Sequence, residues 1–386
     1  MSVVKEFGRS IASRFGAPAG ALETFIEVPF GLGDQAYRPD GVIRVTRGQR
    51  TWSALVEVKT SDAKLAAGQV DTYVDIARTK GIDAVLTISN QLTGPSDDHP
   101  VDIDRRKLKR ISLDHLAWDQ IRTEALLLIK HHKIVDQTQQ RVLEEFVRYM
   151  LHPRSGLHGF TDMGPQWVKV REAAQARTLR ATDKGCAEVT AHYDQMVRHV
   201  GLHLSSLLGV ETISIVPGNR VDSTTRSEQL ADSGQLFASI KVPGAVDTIV
   251  VTTDLRSERV MCSIQVDAPR EGRSMTRVNW LLRQIPDARD GIRVEALLAG
   301  GRGQSTAALL GVVRKTPESL LPKDGRDIRA FRISLDTPMG AKRGVGKGGL
   351  IGSVQSATTH FYGEIVQNLR PWNARPPKLQ GSDLLS

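Results

Sequence analysis

Arg38-Pro39-Asp40-Gly41-Val42-Ile43, then Trp52-Ser53-Ala54-Leu55-Val56-Glu57-Val58-Lys59-Thr60, then Gln69-Val70-Asp71-Thr72-Tyr73 form the most informative part of the sequence. The first two pieces have the β-branched, apolar composition of neighbouring strands, joined by a polar turn around Thr46 to Arg50. Side chains alternate along a strand, so Glu57 and Lys59 share one face while Val56 and Val58 take the other. Asp40 opens the partner strand, with Pro39 fixing the backbone just before it. A carboxylate on one strand, and a carboxylate plus an ammonium on the next, can converge on one point. Two acidic groups so placed can hold one or two Mg²⁺ ions against a phosphate, and a lysine adds positive charge beside them. That set of groups suits metal-assisted phosphodiester hydrolysis.

Pro39-Asp40 followed by Glu57-x-Lys59 resembles the motif of the PD-(D/E)xK nuclease superfamily, which includes restriction endonucleases, RecB-type nuclease domains and Holliday junction resolvases. Gln69-x-x-x-Tyr73 is similar to the Gln-x-x-x-Tyr helix motif of the RecB-type branch, at a fitting distance after the lysine. The resemblance covers roughly residues 1–120. It implies a restriction-endonuclease-like α/β fold, a mixed sheet flanked by helices. It also implies Asp40 and Glu57 as ligands of Mg²⁺, with Mn²⁺ as a substitute, Lys59 as the catalytic amine, and Gln69 and Tyr73 as supports of the site. Taken singly, a Pro-Asp or a Glu-x-Lys is ordinary strand-edge sequence. Pro286-Asp287, followed by Val294-Glu295-Ala296-Leu297 without a lysine, is such a fragment and carries no catalytic weight.

Working outward, Val4, Phe7, Ile11 and Phe15 recur at helical spacing and predict a helix over 3–15, stopped at Gly16-Ala17-Pro18. Glu6 lies on it. In the resembled superfamily a glutamate of the first helix assists metal binding, which makes Glu6 a candidate ligand. Thr24 to Val28 alternates as a strand and offers Glu27 instead, with Glu23 as a further option. A helix over 64–80 places Gln69 and Tyr73 on one face, four residues apart. Asp83 to Ser89 is a short apolar strand, Gln91 to Asp104 a polar loop, and Ile111 to Leu113 a last strand before a helix from His115 to about Lys130. Arg105-Arg106-Lys107-Leu108-Lys109-Arg110 is a basic run able to grip phosphates. A further amphipathic helix, Gln137 to Leu151, ends at His152-Pro153-Arg154-Ser155-Gly156, and the expected domain boundary falls there, giving domains 1–155 and 156–386.

The second part alternates between patterns. A long helix from about Gly185 to Leu208 carries His192, His199 and His203; without a glutamate between the last two, they read as surface or interface histidines rather than zinc ligands. Strands follow at Thr212 to Val216, Leu236 to Val242, Asp247 to Thr252, Arg259 to Val266, Ile292 to Leu298 and Ile328 to Leu335. Helices are expected at Ser274 to Gln284 and Ser353 to Asn368. The class is mixed α/β or α+β. Gly340 to Gly349 lacks the first glycine of a phosphate-binding loop and has Gly348 where Ser or Thr would bind Mg²⁺, so an NTPase is excluded. It and Gly300-Gly301-Arg302-Gly303 read as basic loops, and the Pro-rich tail after Leu369 as mobile.

The composition is that of an ordinary folded protein: 386 residues, 40% hydrophobic and 25% charged. Lys and Arg number 52 against 43 Asp and Glu, a net charge of +9 that favours a polyanionic partner. The two cysteines, Cys186 and Cys262, exclude a disulfide framework and the four-cysteine iron–sulfur cluster of some RecB-like nucleases. No signal peptide or transmembrane run is expected, which points to the cytoplasm and to no membrane partner. The expected function is a Mg²⁺-dependent nuclease, with DNA favoured over RNA on the resemblance, in restriction, phage defence or DNA repair. The C-terminal part would serve recognition, homo-oligomerisation or ligand gating. The rival expectation is a non-catalytic nucleic-acid-binding or assembly protein that keeps a nuclease fold.

Overall fold

The computed structural model describes residues 1–94, 99–132, 134–216, 223–300, 305–341 and 348–373. The glycine-rich positions 301–304 and 342–347, and the tail from 374, lie outside them.

Helix α1 (Lys5–Ser13) precedes strand β1 (Ala21–Ile26), the small hairpin β2 (Phe30–Leu32) and β3 (Gln35–Tyr37), and then β4 (Gly41–Arg47) and β5 (Arg50–Val58). Helix α2 (Ala67–Lys80), β6 (Ala84–Ser89), β7 (Ser112–Ala117), α3 (Trp118–Leu127) and α4 (Gln137–Met150) complete the first part. Five strands form one mixed sheet in the order β1-β4-β5-β6-β7. The β1, β4 and β5 pairs are antiparallel, while β5, β6 and β7 run parallel. The β4–β5 turn is tighter than its sequence suggests: Arg47 already pairs with Arg50, across Gly48 at φ 58°. A left-handed glycine lets a two-residue loop close antiparallel strands without splaying them.

The two faces of this sheet are covered differently, as strand alternation requires. Ile43, Val45, Val56, Leu86 and Ile88 pack with Val4, Phe7 and Ile11 of α1, Ile121 of α3 and Leu143 of α4. Leu55 and Val85 point the other way, onto Tyr73, Val74, Ile76 and Ala77 of α2. Glu57 and Lys59 share parity with Leu55, so they emerge on the α2 face. Gly81 (φ 69°) ends α2, its N–H returning to Ala77 O. Asp136 caps α4 by accepting from the N–H groups of Thr138 and Gln139 at 2.8 and 3.1 Å.

Two expected elements shift: the strand expected over Thr24 to Val28 spans Ala21–Ile26, so Glu27 falls outside it, and the helix expected from His115 starts later. His115 does not start a helix; it continues β7, paired with Thr87, and α3 begins at Trp118 with the Gln120 side chain accepting from Ala117 N at 2.9 Å. Pairing along β6 outweighs the helical pattern of residues 115–117 because it satisfies their backbone groups in a buried setting.

The second part holds α5 (Trp167–Gln175), α6 (Lys184–Leu208), β8 (Ile213–Ile215), α7 (Ser223–Ser233), β9 (Gln235–Lys241), β10 (Ile249–Asp254) and β11 (Arg259–Asp267). It continues with α8 (Ser274–Leu282), β12 (Arg293–Leu298), β13 (Thr306–Leu309), α9 (Leu310–Lys315), β14 (Ile328–Pro338) and α10 (Leu350–Glu364). Its seven strands form an antiparallel sheet ordered β13-β12-β14-β11-β10-β9-β8. Helices α6 and α10 lie on this sheet; Tyr193, Val197, Val354 and Phe361 meet Val251, Ile264, Phe331 and Ile333 in a fully buried core. The Tyr193 hydroxyl donates to Val251 O at 3.1 Å, which removes the cost of burying it.

Helices α3 and α6 join the two parts. Polar contacts surround this seam. Arg198 donates to Thr93 O and Gly94 O at 3.2 and 2.8 Å, and Arg14 bridges Glu124 and Glu211 at 2.8 and 3.0 Å. Among the described residues, no helix is long and apolar enough to cross a membrane.

Candidate active site

The site grows from the start of β4. Gly41 pairs with Val56, which sets Asp40 level with the end of β5. There Asp40 Oδ2 accepts the backbone N–H of Val58 at 2.7 Å, the amide lying between Glu57 and Lys59. Glu57 is 2% exposed, and its Oε1 meets Lys59 Nζ at 2.5 Å. A carboxylate so deeply buried requires a charged or hydrogen-bonded partner, and Lys59 provides one. Asp40 itself is exposed, and its Oδ1 accepts no hydrogen bond among the described residues.

Helix α2 closes the site from the side. Gln69 Nε2 donates to Tyr73 Oη at 3.3 Å, and Tyr73 Oη reaches Arg38 O at 3.4 Å, two residues before Asp40. Burial pushes the Tyr73 phenol up to about 12; the nearby Glu57 and Asp40 carboxylates push the same way, against the hydrogen bond from Gln69. Tyr73 is therefore a neutral donor near pH 7 and braces the turn that carries Asp40.

Asp40, Glu57, Lys59, Gln69 and Tyr73 thus come together, whereas Glu6 and Glu27 do not join them. No group of three or more His, Cys, Asp and Glu side chains able to hold a metal ion exists among the described residues. Glu6 is exposed on α1, whose apolar residues pack on the sheet face opposite Glu57. Glu27 falls just beyond β1, exposed and in the left-handed region at φ 50°; only its N–H approaches the site, donating to Asp40 O at 3.4 Å. Glu23 pairs with Arg44 at 3.0 Å. Mg²⁺ keeps several waters and takes one or two carboxylates together with phosphate oxygens, so a third acid is not a requirement for that ion.

The basic run divides. Lys107 Nζ binds Asp71 and Asp75 of α2 at 2.7 and 2.9 Å, and these hydrogen bonds raise its pKa. Lys107 is a structural pin. Arg105, Arg106, Lys109 and Arg110 remain exposed beside α2. Of the histidines on α6, His199 stands at the contact between the two parts, where it hydrogen-bonds Asp119 of α3.

Sequence reading missed three groups. Asn90 and Trp118 directly follow β6 and β7, as Lys59 follows β5, so all three stand at the carboxyl ends of the parallel strands. Ligands gather at such ends, and that rule is the signal that finds them. The third group is Thr87, paired with Glu57 in the sheet, whose Oγ1 lies 2.8 Å from His99 Nε2 and 2.9 Å from His115 Nδ1. His115 Nε2 donates to Gln91 O at 2.8 Å, which fixes its neutral tautomer. Behind it, a cavity of about 310 Å³ is lined by His99, His115, Arg14, Arg198, Glu124 and Ser214 among others, at the seam between the two parts.

No protein-family model matches the chain, and no curated protein or solved structure matches it.

Burial, helped by the charges of His99 and Arg198, drives the His115 pKa down from 6.5 to about 4. In the unfolded chain the ring takes up a proton near its ordinary pKa, and in the folded chain it does not. Its neutral form therefore costs the fold nothing above about pH 6.5, and stability is lost as pH falls from there toward 4. Urea denaturation across pH 4–7 is expected to show this decline, and His115→Gln to flatten it.

Proposed function

We propose that this protein is a Mg²⁺-dependent nuclease whose site is Asp40, Glu57 and Lys59, on a fold of the restriction-endonuclease-like type. The hydrogen bond from Val58 N–H to Asp40 Oδ2 carries the reading, because it brings a carboxylate of β4 beside the Glu57–Lys59 pair of β5. The order of strands and helices around it supports the PD-(D/E)xK resemblance. Asp40 and Glu57 would hold Mg²⁺, which would supply Lewis acidity toward a phosphate oxygen and lower the pKa of water there. Lys59 contributes a fixed ammonium. Already seated 2.5 Å from Glu57, it orients the attacking water or donates to the oxygen that gathers charge in the phosphorane, without needing to reorganise. Tyr73 and Gln69 hold the Arg38–Asp40 turn at the right distance. The exposed Arg105, Arg106, Lys109 and Arg110 give the polyanion a track beside α2, and DNA is the substrate favoured by the resemblance. Restriction, phage defence and DNA repair are the settings that suit it.

The second reading, a nucleic-acid-binding protein that has lost catalysis, is favoured by the lack of a third acid near the pair among the described residues. Cleavage decides between them. Linear, circular and single-stranded DNA, and RNA, incubated with the full chain in Mg²⁺ or Mn²⁺ are expected to reveal a DNA substrate. Lys59→Ala is expected to lower its cleavage rate by about a hundredfold or more. Binding of DNA without cleavage by the unaltered protein would support the second reading.

The track has its own test. Each phosphate contact contributes about 0.9 to the slope of log K against log salt on duplex DNA. Replacing Arg105, Arg106, Lys109 and Arg110 together by Ser is expected to weaken DNA binding at low salt and to reduce that slope by about 3 to 4. An unchanged slope would place the DNA elsewhere.

A further inference from the structure

We propose that Asn90, Trp118 and the segment 156–159 are positioning elements for Lys59, and that through them its placement depends on the seating of the C-terminal part. The proposal rests on the reading of Lys59 as the site's amine, and it assigns regulation of that site to a stated set of contacts.

The backbone of Lys59 is held on both sides. Its N–H donates to Ile88 O of β6 at 2.7 Å, and its carbonyl accepts the indole N–H of Trp118 at 3.0 Å. Two residues on, Ser61 N donates to Gly156 O at 2.7 Å. Asn90 ties these pieces together. Its Nδ2 donates to Ser61 O at 3.0 Å and to Gly156 O at 2.8 Å, while its Oδ1 accepts from His158 N at 2.9 Å. One amide thus uses both ends to fasten the chain after Lys59 to the segment leading into the C-terminal part.

That segment is fitted closely. Gly156 has φ 70° and leaves no room for a Cβ beside Ser61 Oγ, so only glycine lets the strand-end loop and the segment touch. Three residues later, a Cβ on Gly159 would stand 3.3 Å from the His199 ring and 3.4 Å from both Arg122 and Asp119. His199 belongs to α6, and it hydrogen-bonds Asp119, the residue after Trp118, which also binds Arg122. Two routes therefore run from α6 to Lys59. One passes through Asp119 and Trp118 to the Lys59 carbonyl; the other passes along 159–156 and Asn90 to Ser61. A shift of α6 relative to α3 strains both, so a partner or ligand that reseats the C-terminal part changes the hold on the lysine.

Brief acetylation of the full chain with acetic anhydride, followed by mass spectrometry of each lysine, reads the hold directly. Asn90→Asp keeps size and loses the donating amide, Trp118→Phe loses the indole N–H together with part of the ring, and His199→Gln replaces the imidazole with a shorter-reaching, neutral donor to Asp119. In each variant Lys59 is expected to acetylate about threefold to tenfold faster, the factor one net hydrogen bond provides. Lys107, pinned to Asp71 and Asp75 elsewhere in the same part, should keep its rate, which excludes general loosening. DNA cleavage by the same variants should lose kcat by a similar factor with KM unchanged. An unchanged Lys59 rate in His199→Gln overturns the proposal, as does an equal rise at Lys107. A protein that cleaves nothing defeats the nuclease reading alone, since the acetylation rates still report the coupling.

Discussion

The Asp40 carboxylate accepting the Val58 amide is the contact on which the rest depends. It joins the open end of β4 to the one peptide whose neighbours are Glu57 and Lys59. Everything upstream serves its register: the tight Gly48 turn, the pairing of Gly41 with Val56, and the brace from Tyr73 to Arg38. A slip of one residue between β4 and β5 would carry Glu57 and Lys59 to the face covered by α1 and α4, into an apolar core. The slip is resisted because it would bury Glu57 and Lys59 among the apolar side chains of α1 and α4, with no water or polar partner to receive them. Packing thus specifies which side chains meet.

Buried charge gives the site its character. Glu57 is almost wholly enclosed and spends one oxygen on Lys59, while Asp40 stays open to solvent. The pair combines a rigid, desolvated carboxylate with an accessible one, and the lysine offsets the desolvation cost that the buried carboxylate would otherwise carry alone. The same economy recurs at the seam with the C-terminal part. Burial would raise the Asp119 pKa, yet the hydrogen bond from His199 and the charge of Arg122 outweigh it and leave the group lowered. Both charged clusters lie near the ends of the parallel strands, one at each side of Trp118.

Much of the first part was legible from local pattern. Alternation alone put Glu57 and Lys59 on one face, and helical spacing put Gln69 beside Tyr73. What escaped depends on contacts distant in sequence. Nothing around Asn90 or Trp118 announces that they meet Lys59, since those contacts exist only once β5, β6 and β7 are parallel and adjacent. The β7 boundary was misjudged because His115 to Ala117 fits a helix as well as a strand until Thr87 is known to pair with it. Glu6 and Glu27 are alternatives for a further acid beside Asp40 and Glu57 in the sequence; the side of the sheet on which α1 packs, and the backbone turn at Glu27, leave both outside the pair. In the second part the longer strands could be read from their apolar runs. The short elements α5, α7, β13 and α9 could not, because their apolar residues are too few to show a period.

If Asp40 and Glu57 together hold a divalent ion, Mn²⁺ reports that binding without any assumption about substrate. Electron paramagnetic resonance of free Mn²⁺ during titration with the full chain should show saturable loss of signal. Asp40→Asn and Glu57→Gln should each abolish it while Glu27→Gln and Glu6→Gln leave it in place. Equal Mn²⁺ uptake by the unaltered protein and by Asp40→Asn would contradict the account.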